Sequence, residues 1–263
     1  MKPAAANRYI VPGLERGLRL LQLFDRRQRT LGAPEISRLL GVPRSTVFRL
    51  LQTLETLSFV ERAPNGDYQL GPAILRVGFE YLASMELTEL ARPILERLRD
   101  RTGYAAQLSI RDGRDAVVVL KMSAASAFVS SVQVGTRFPV HATAYGRVLL
   151  CDLDANALRQ LIPEARLAGS STHTPRSTAS LAKLLEQDRA RGYVVSESFF
   201  EQNISAVVAP VRDQGGQIVA AMGVTVQQPQ LDPAMREKLV ALVTQSASEL
   251  SHRLNYRPAE RAA

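Results

Sequence analysis

The chain has 263 residues, 46% apolar and 22% charged, enough for two domains with buried cores and too apolar for general disorder. A single cysteine, Cys151, excludes a disulfide framework and a cysteine-rich metal cluster, and no apolar run approaches the roughly 20 residues of a membrane-spanning helix. The net charge of +8 is unevenly placed: residues 1–80 carry 12 basic and 7 acidic side chains against 21 and 18 in the rest, an excess that points to a polyanionic partner. The opening residues Met1–Arg8 lack the hydrophobic stretch of a signal peptide, which predicts a cytoplasmic protein.

In chain order, a first helix is expected where Leu14, Leu18, Leu21 and Leu23–Phe24 recur at helical spacing, ending at the polar run Asp25-Arg26-Arg27-Gln28-Arg29. A second spans Ala33–Leu40, with Pro34 in its first turn and Gly41 closing it. A third opens at Pro43 and runs to about Leu57. Phe59–Arg62 and Tyr68–Leu70 then flank Pro64-Asn65-Gly66-Asp67, and Asn-Gly between short apolar runs is a strong hairpin signal. From Gly71 to Met85 a helical pattern returns, with Ile74, Leu75, Gly78, Phe79 and Leu82 on one side. It reads as a linker. Beyond it come a helix at Leu90–Arg101 and strands at 104–110, 116–122, 129–134, 193–198, 204–211 and 218–226. Helices are expected at 142–150, 177–191 and 232–254, the last opened by Asp232-Pro233. Antiparallel strands flanked by helices make an α+β domain. The division is therefore 1–70, a linker helix at 71–86, and 87–263.

On the third helix, Val47, Leu50, Leu51, Leu54 and Leu57 fall on one face and should pack inward. Ser45, Arg49 and Gln52 fall opposite, with Arg44, Thr46 and Phe48 to either side. Hydroxyls and arginines hold phosphates, and arginine and glutamine also read base edges, so this is the make-up of a helix for the DNA major groove. The turn Gly41-Val42-Pro43 supplies helix-turn-helix geometry, and the hairpin makes it winged. The hairpin tip carries no basic side chain, so a wing contact falls to backbone or Asn65. The plain alternative is an amphipathic helix in a small bundle, and Arg26, Arg27 and Arg29 equally suit a solvated loop.

Ile36–Leu51 and the opening Gly13-Leu14-Glu15-Arg16-Gly17-Leu18 resemble the winged helix-turn-helix of the IclR family of bacterial transcriptional regulators. Pro139–Leu150 (PVHATAYGRVLL) and Ala209-Pro210-Val211 continue the resemblance, which extends from about Val11 to Val226. It implies an N-terminal winged helix-turn-helix and a C-terminal GAF-like effector-binding domain with an antiparallel sheet. It further implies a homodimer or homotetramer on a palindromic double-stranded operator. By the same resemblance a small carboxylate effector meets backbone at Ala144 and Tyr145, with later contacts at Ser196, Ala206, Gly223 and Thr225 and an apolar wall from Ile204. The chain departs from the family in having Ser196 where an acid is typical, Phe199 where glutamate is frequent, and Ala206 and Gly223 where small polar residues are common. With Tyr145, Phe128 and Phe138 nearby, these exchanges suit a bulkier, less polar acid. Arg137 reads in two ways, as a counter-charge to that carboxylate or as an exposed strand-end arginine.

An enzyme is not expected. Cys151 follows Val148-Leu149-Leu150 and reads as core rather than as a nucleophile paired with His141. His141, His173 and His252 show no ligand spacing, and neither cofactor nor metal is implied. The competing function is a ligand-independent dimeric DNA-binding protein whose C-terminal domain serves only oligomerisation.

Overall fold

The computed structural model describes residues 9–25, 28–83, 86–124, 132–164, 166–169, 171 and 173–257, with backbone alone for 79–83. Arg26, Arg27, Met85, Phe128, the side chains of Phe79 and Leu82, and the beginning of the strand expected at 129–134 lie outside what is described. The chain divides into two units, Met1–Ser84 and Met85–Ala263.

In the first unit, α1 (Pro12–Leu21), α2 (Ala33–Leu40) and α3 (Arg44–Thr56) precede a hairpin of β1 (Val60–Arg62) and β2 (Tyr68–Leu70), then α4 (Ala73–Ala83). Gly41 ends α2 at φ 66°, a left-handed conformation that glycine adopts without strain. Leu20, Phe24, Leu31, Ile36, Val47, Leu51, Val60 and Tyr68 form one core. An isolated bridge from Leu31 to Tyr68 extends the hairpin. Two faces differ from expectation. On α1 the buried positions are Gly17 and Leu20, while Leu14 and Leu18 are exposed. The small Gly17 lies toward the Leu50 side chain of α3, and that approach sets which side of α1 turns inward. Leu57 is exposed because α3 stops at Thr56.

The second unit opens with α5 (Glu86–Thr102), which starts earlier than the periodicity predicts. Its sheet contains β3 (Ala105–Asp112), β4 (Asp115–Met122), β5 (Arg137–Pro139), β6 (Val194–Glu197), β7 (Ser205–Arg212) and β8 (Ile218–Val226). All pairings are antiparallel, in the order β5-β4-β3-β8-β7-β6. A 3-10 turn at Val140–Ala142 leads into α6 (Ala144–Leu150), followed by α7 (Ala155–Leu161), α8 (Thr178–Arg191) and α9 (Pro233–Arg253). Helix α6 packs on one sheet face with α8 behind it, and α5 and α9 pack on the other. No strand covers the described part of 129–134; residues 132–136 turn through Gly135 at φ 84°, and β5 begins at Arg137. Helix α7 is unforeseen, although Asp154 caps it by accepting the N–H groups of Asn156 and Ala157. Among the described residues no helix is long and apolar enough to cross a membrane.

Candidate functional sites: an exposed helix and an enclosed cavity

Helix α3 buries Val47 and Leu51 and exposes Arg44, Ser45, Phe48, Arg49 and Gln52, while Thr46 is half-buried. The inward stripe belongs to folding. The outward one has little to do within the unit. Among the described residues neither Arg44 nor Arg49 is in an ion pair, whereas Arg19, Arg38 and Arg62 all are. Arg62 also lies over the Tyr68 ring, 5.2 Å from its centroid. Arg16, Arg29 and Arg76 are likewise exposed and in no ion pair among the described residues, so α3 holds two of several cations open to phosphates. At the hairpin tip, the Asn65 amide donates to the Asp67 carboxylate at 2.8 Å, and its oxygen accepts the Asp67 N–H. Asn65 thus shapes the turn, beside a negative charge.

In the second unit, a cavity of about 540 Å³ opens between the sheet and the start of α6. Strand register explains its floor. Ala105, Thr225, Ala206 and Ser196 are successive cross-strand partners on β3, β8, β7 and β6, and all four line it. In the next row, Lys121, Gln107, Gly223 and Val208 are aligned, but only Lys121 and Gln107 reach the cavity. Ala144, Tyr145 and Ile204 complete the set that the sequence places here.

Two expected residues are not part of the lining. Gly223 stands where a Cβ would collide with the Val207 carbonyl, so its glycine serves strand packing rather than ligand contact. Arg137 on β5 donates to Asp112 at 2.7 Å and to Asp115 at 3.0 Å, which is the strand-end reading. Against the opposing effect of its burial, these two carboxylates hold the guanidinium more firmly protonated. Phe199 also turns elsewhere: its ring lies 4.8 Å from the Arg147 guanidinium. The phenylalanines in the lining are instead Phe138 and Phe200, packed edge to face at 5.3 Å, beside Tyr104 and Tyr145. The hydroxyls of Ser171 and Thr174 donate to the Phe199 carbonyl at 2.6 and 2.9 Å and fix this turn of chain.

The cation in the lining is Lys121, whose ammonium donates to the Val132 carbonyl at 2.6 Å. In the sequence it ends the apolar run Ala116–Leu120. Its signal was available, since a lysine closing the strand Ala116–Leu120 must find either water or a polar cavity. Gln107 is a second unforeseen polar group, buried and facing the same space.

Helix α6 enters the cavity end-on. The Thr143 hydroxyl accepts the Gly146 N–H at 3.1 Å, and its carbonyl accepts the Arg147 N–H. Among the described residues the Ala144 and Tyr145 N–H groups of this first turn have no partner. Gly146 is required because a Cβ there would overlap the Val140 carbonyl. One turn on, Arg147 donates to both carboxylate oxygens of Asp188 on α8, at 2.8 and 2.6 Å, and both side chains are almost wholly buried. The Tyr145 hydroxyl is buried without a hydrogen-bond partner among the described residues, and the Thr225 side chain lies beside it short of bonding geometry. Burial pushes its pKa up.

Cys151 and His141 do not behave as a nucleophile and its base. The Cys151 thiol donates to the Arg147 carbonyl, and burial, helped by nearby Asp188, pushes it up to about 12. The His141 Nε2 lies 2.9 Å from the Ala168 carbonyl oxygen.

Two family models match the chain: the IclR helix-turn-helix domain over residues 13–64, and the bacterial transcriptional regulator IclR C-terminal over residues 79–252. The HTH-type transcriptional regulator XynR of Escherichia coli is 31% identical over 248 residues, covering 94% of this chain and 98% of its own. An IclR transcriptional regulator from Alicyclobacillus acidocaldarius has a crystal structure with a TM-score of 0.82 at 26% identity, over 94% of this chain and 100% of that one. An IclR homolog from Microbacterium hydrocarbonoxydans, crystallised with 4-hydroxybenzoate, has a TM-score of 0.80 at 23% identity, over 92% and 99%.

Proposed function

The chain belongs to the IclR family of bacterial transcriptional regulators, and from that premise we propose that it is an acid-responsive regulator acting in the cytoplasm. Its N-terminal unit binds a palindromic operator through α3, and its C-terminal unit binds the effector. Relatives are named as transcriptional regulators, which fits a role without catalysis. Arg44, Ser45, Thr46, Arg49 and Gln52 would supply the phosphate and base contacts, with Asn65 holding the shape of the wing. A palindrome needs two recognition helices about one helical turn apart and hence at least a dimer. Exposed Ile10, Val11, Leu14 and Leu18 offer an apolar surface for a second copy.

The observation that carries the effector reading is the composition of the cavity. Ala144 and Tyr145 at the start of α6, the side chains of Thr225, Ser196 and Lys121, and the rings of Phe138 and Phe200 share one space, with exposed Glu201 as the carboxylate in its lining. Donors and one cation suit a carboxylate, and the rings suit an apolar or aromatic body. Lys121 takes the role that Arg137 cannot, because Arg137 is held by two aspartates.

Thermal shift and DNA-affinity titrations of the full chain with pyruvate, benzoate, 4-hydroxybenzoate and uncharged benzamide test this. At least one acid should raise the melting temperature and alter DNA affinity, and benzamide should do neither. If every acid leaves both unchanged while DNA binding persists, the C-terminal unit serves oligomerisation instead.

A further inference from the structure

Folding does not account for Phe48. Its side chain is 55% exposed on α3, while Val47 and Leu51 supply the inward face with no exposure at all. One turn before and after it stand Arg44 and Gln52, both exposed, and Arg49 is its exposed neighbour in sequence. An apolar ring therefore projects from a strip of otherwise hydrogen-bonding groups, where it gains nothing in the free protein.

The major groove of DNA presents donors and acceptors on its base edges and one apolar group, the C5 methyl of thymine. A recognition helix brings its N-terminal residues to those edges, and Phe48 is the fifth residue of α3. We propose that Phe48 is a specificity-determining residue that selects thymine by packing its ring on the methyl group in each half-site. Arg44, Arg49 and Gln52 surround that contact with phosphate and base-edge hydrogen bonds. The ring excludes water from the methyl, and a cytosine at the same position carries only hydrogen at C5 and gives the ring no methyl to cover. This inference rests on the assignment of α3 as the DNA-reading helix.

The test uses the full chain and duplexes that it selects from a random-sequence library. Each thymine of the selected half-site is replaced in turn by deoxyuridine, which keeps the base pair and removes only the methyl group. Wild-type affinity should fall about fourfold at one or two positions per half-site, the worth of one methyl group transferred out of water. Phe48→Ala should melt like the parent, bind the thymine duplex correspondingly more weakly, and no longer distinguish thymine from uracil at those positions. Phe48→Leu should retain part of the preference. The proposal is overturned if Phe48→Ala keeps the parent's thymine-to-uracil ratio, or if no thymine in the selected site is sensitive. It is also overturned if the variant changes only self-association, which would place the ring in a protein interface. Failure of the parent to enrich any sequence removes the DNA-reading assignment itself, a result distinct from an enriched site indifferent to uracil.

Discussion

Helix α3 and the cavity beside α6 solve opposite problems. The helix gathers its functional groups from one run of sequence and turns them outward, where the fold neither needs nor restrains them. The cavity gathers its groups from strands and turns more than a hundred residues apart and surrounds them with core. A substitution on the outward face of α3 should therefore change binding without changing stability. Near the cavity, the two effects separate only for residues that face the empty space rather than the core.

The largest effect should come from the buried pair behind the cavity. Asp188→Ala leaves the Arg147 guanidinium buried and unpaired, and should cost about 3–5 kcal/mol in chemical denaturation of the full chain. A loss below about 1 kcal/mol would show that water reaches the pair and would weaken the contrast. On the helix, Arg49→Ala should lower operator affinity by about ten- to a hundredfold if it reads a base, with the melting temperature unchanged. If Arg49 holds only phosphate, affinity should fall alike for all sequences and the salt dependence should become shallower.

A smaller change is expected in the cavity itself. Thr225→Val removes one hydroxyl from the floor and should weaken acid binding about tenfold, with DNA affinity in the absence of acid unaltered. Lys121 and Arg137 give a paired comparison. Lys121→Met should lower affinity for acids and leave affinity for uncharged analogues unchanged. Arg137→Ala should leave both affinities unchanged, and should cost at most about 1 kcal/mol of stability, because its ion pairs are exposed. Isothermal titration of both variants with one acid decides between the two cations.

The same contrast explains what sequence alone conveys. Arg44, Arg49 and Gln52 are legible because a helix maps spacing directly onto faces. The ends of α2, the turn at Asn65-Gly66 and the start of α9 are legible because glycine, asparagine and Asp-Pro have local conformational reasons to be there. Arg137 is ambiguous in sequence because its partners, Asp112 and Asp115, come to it only through the pairing of β4 with β5. Phe199 and Phe200 occupy a turn, where no alternation distinguishes a cavity-facing side chain from its neighbour. Gly223 looks like a lost hydrogen bond in sequence; in space it is room for the adjacent strand.

Helix α6 has a consequence for how such a site changes over evolutionary time. All seven of its residues are buried, Thr143 caps it, Gly146 admits no side chain, and Arg147 ties it to α8. This wall cannot shift to suit a new ligand without disturbing the core. Another part of the lining is held differently, by Phe138 in the middle of a three-residue edge strand and by half-buried Phe200 in a turn. Substitutions there would change the shape of the space while the start of α6 stays fixed. On the proposed reading, the cavity is a vice with one jaw fixed and one adjustable, in which exchanged rings would admit new acids while the carboxylate keeps its place.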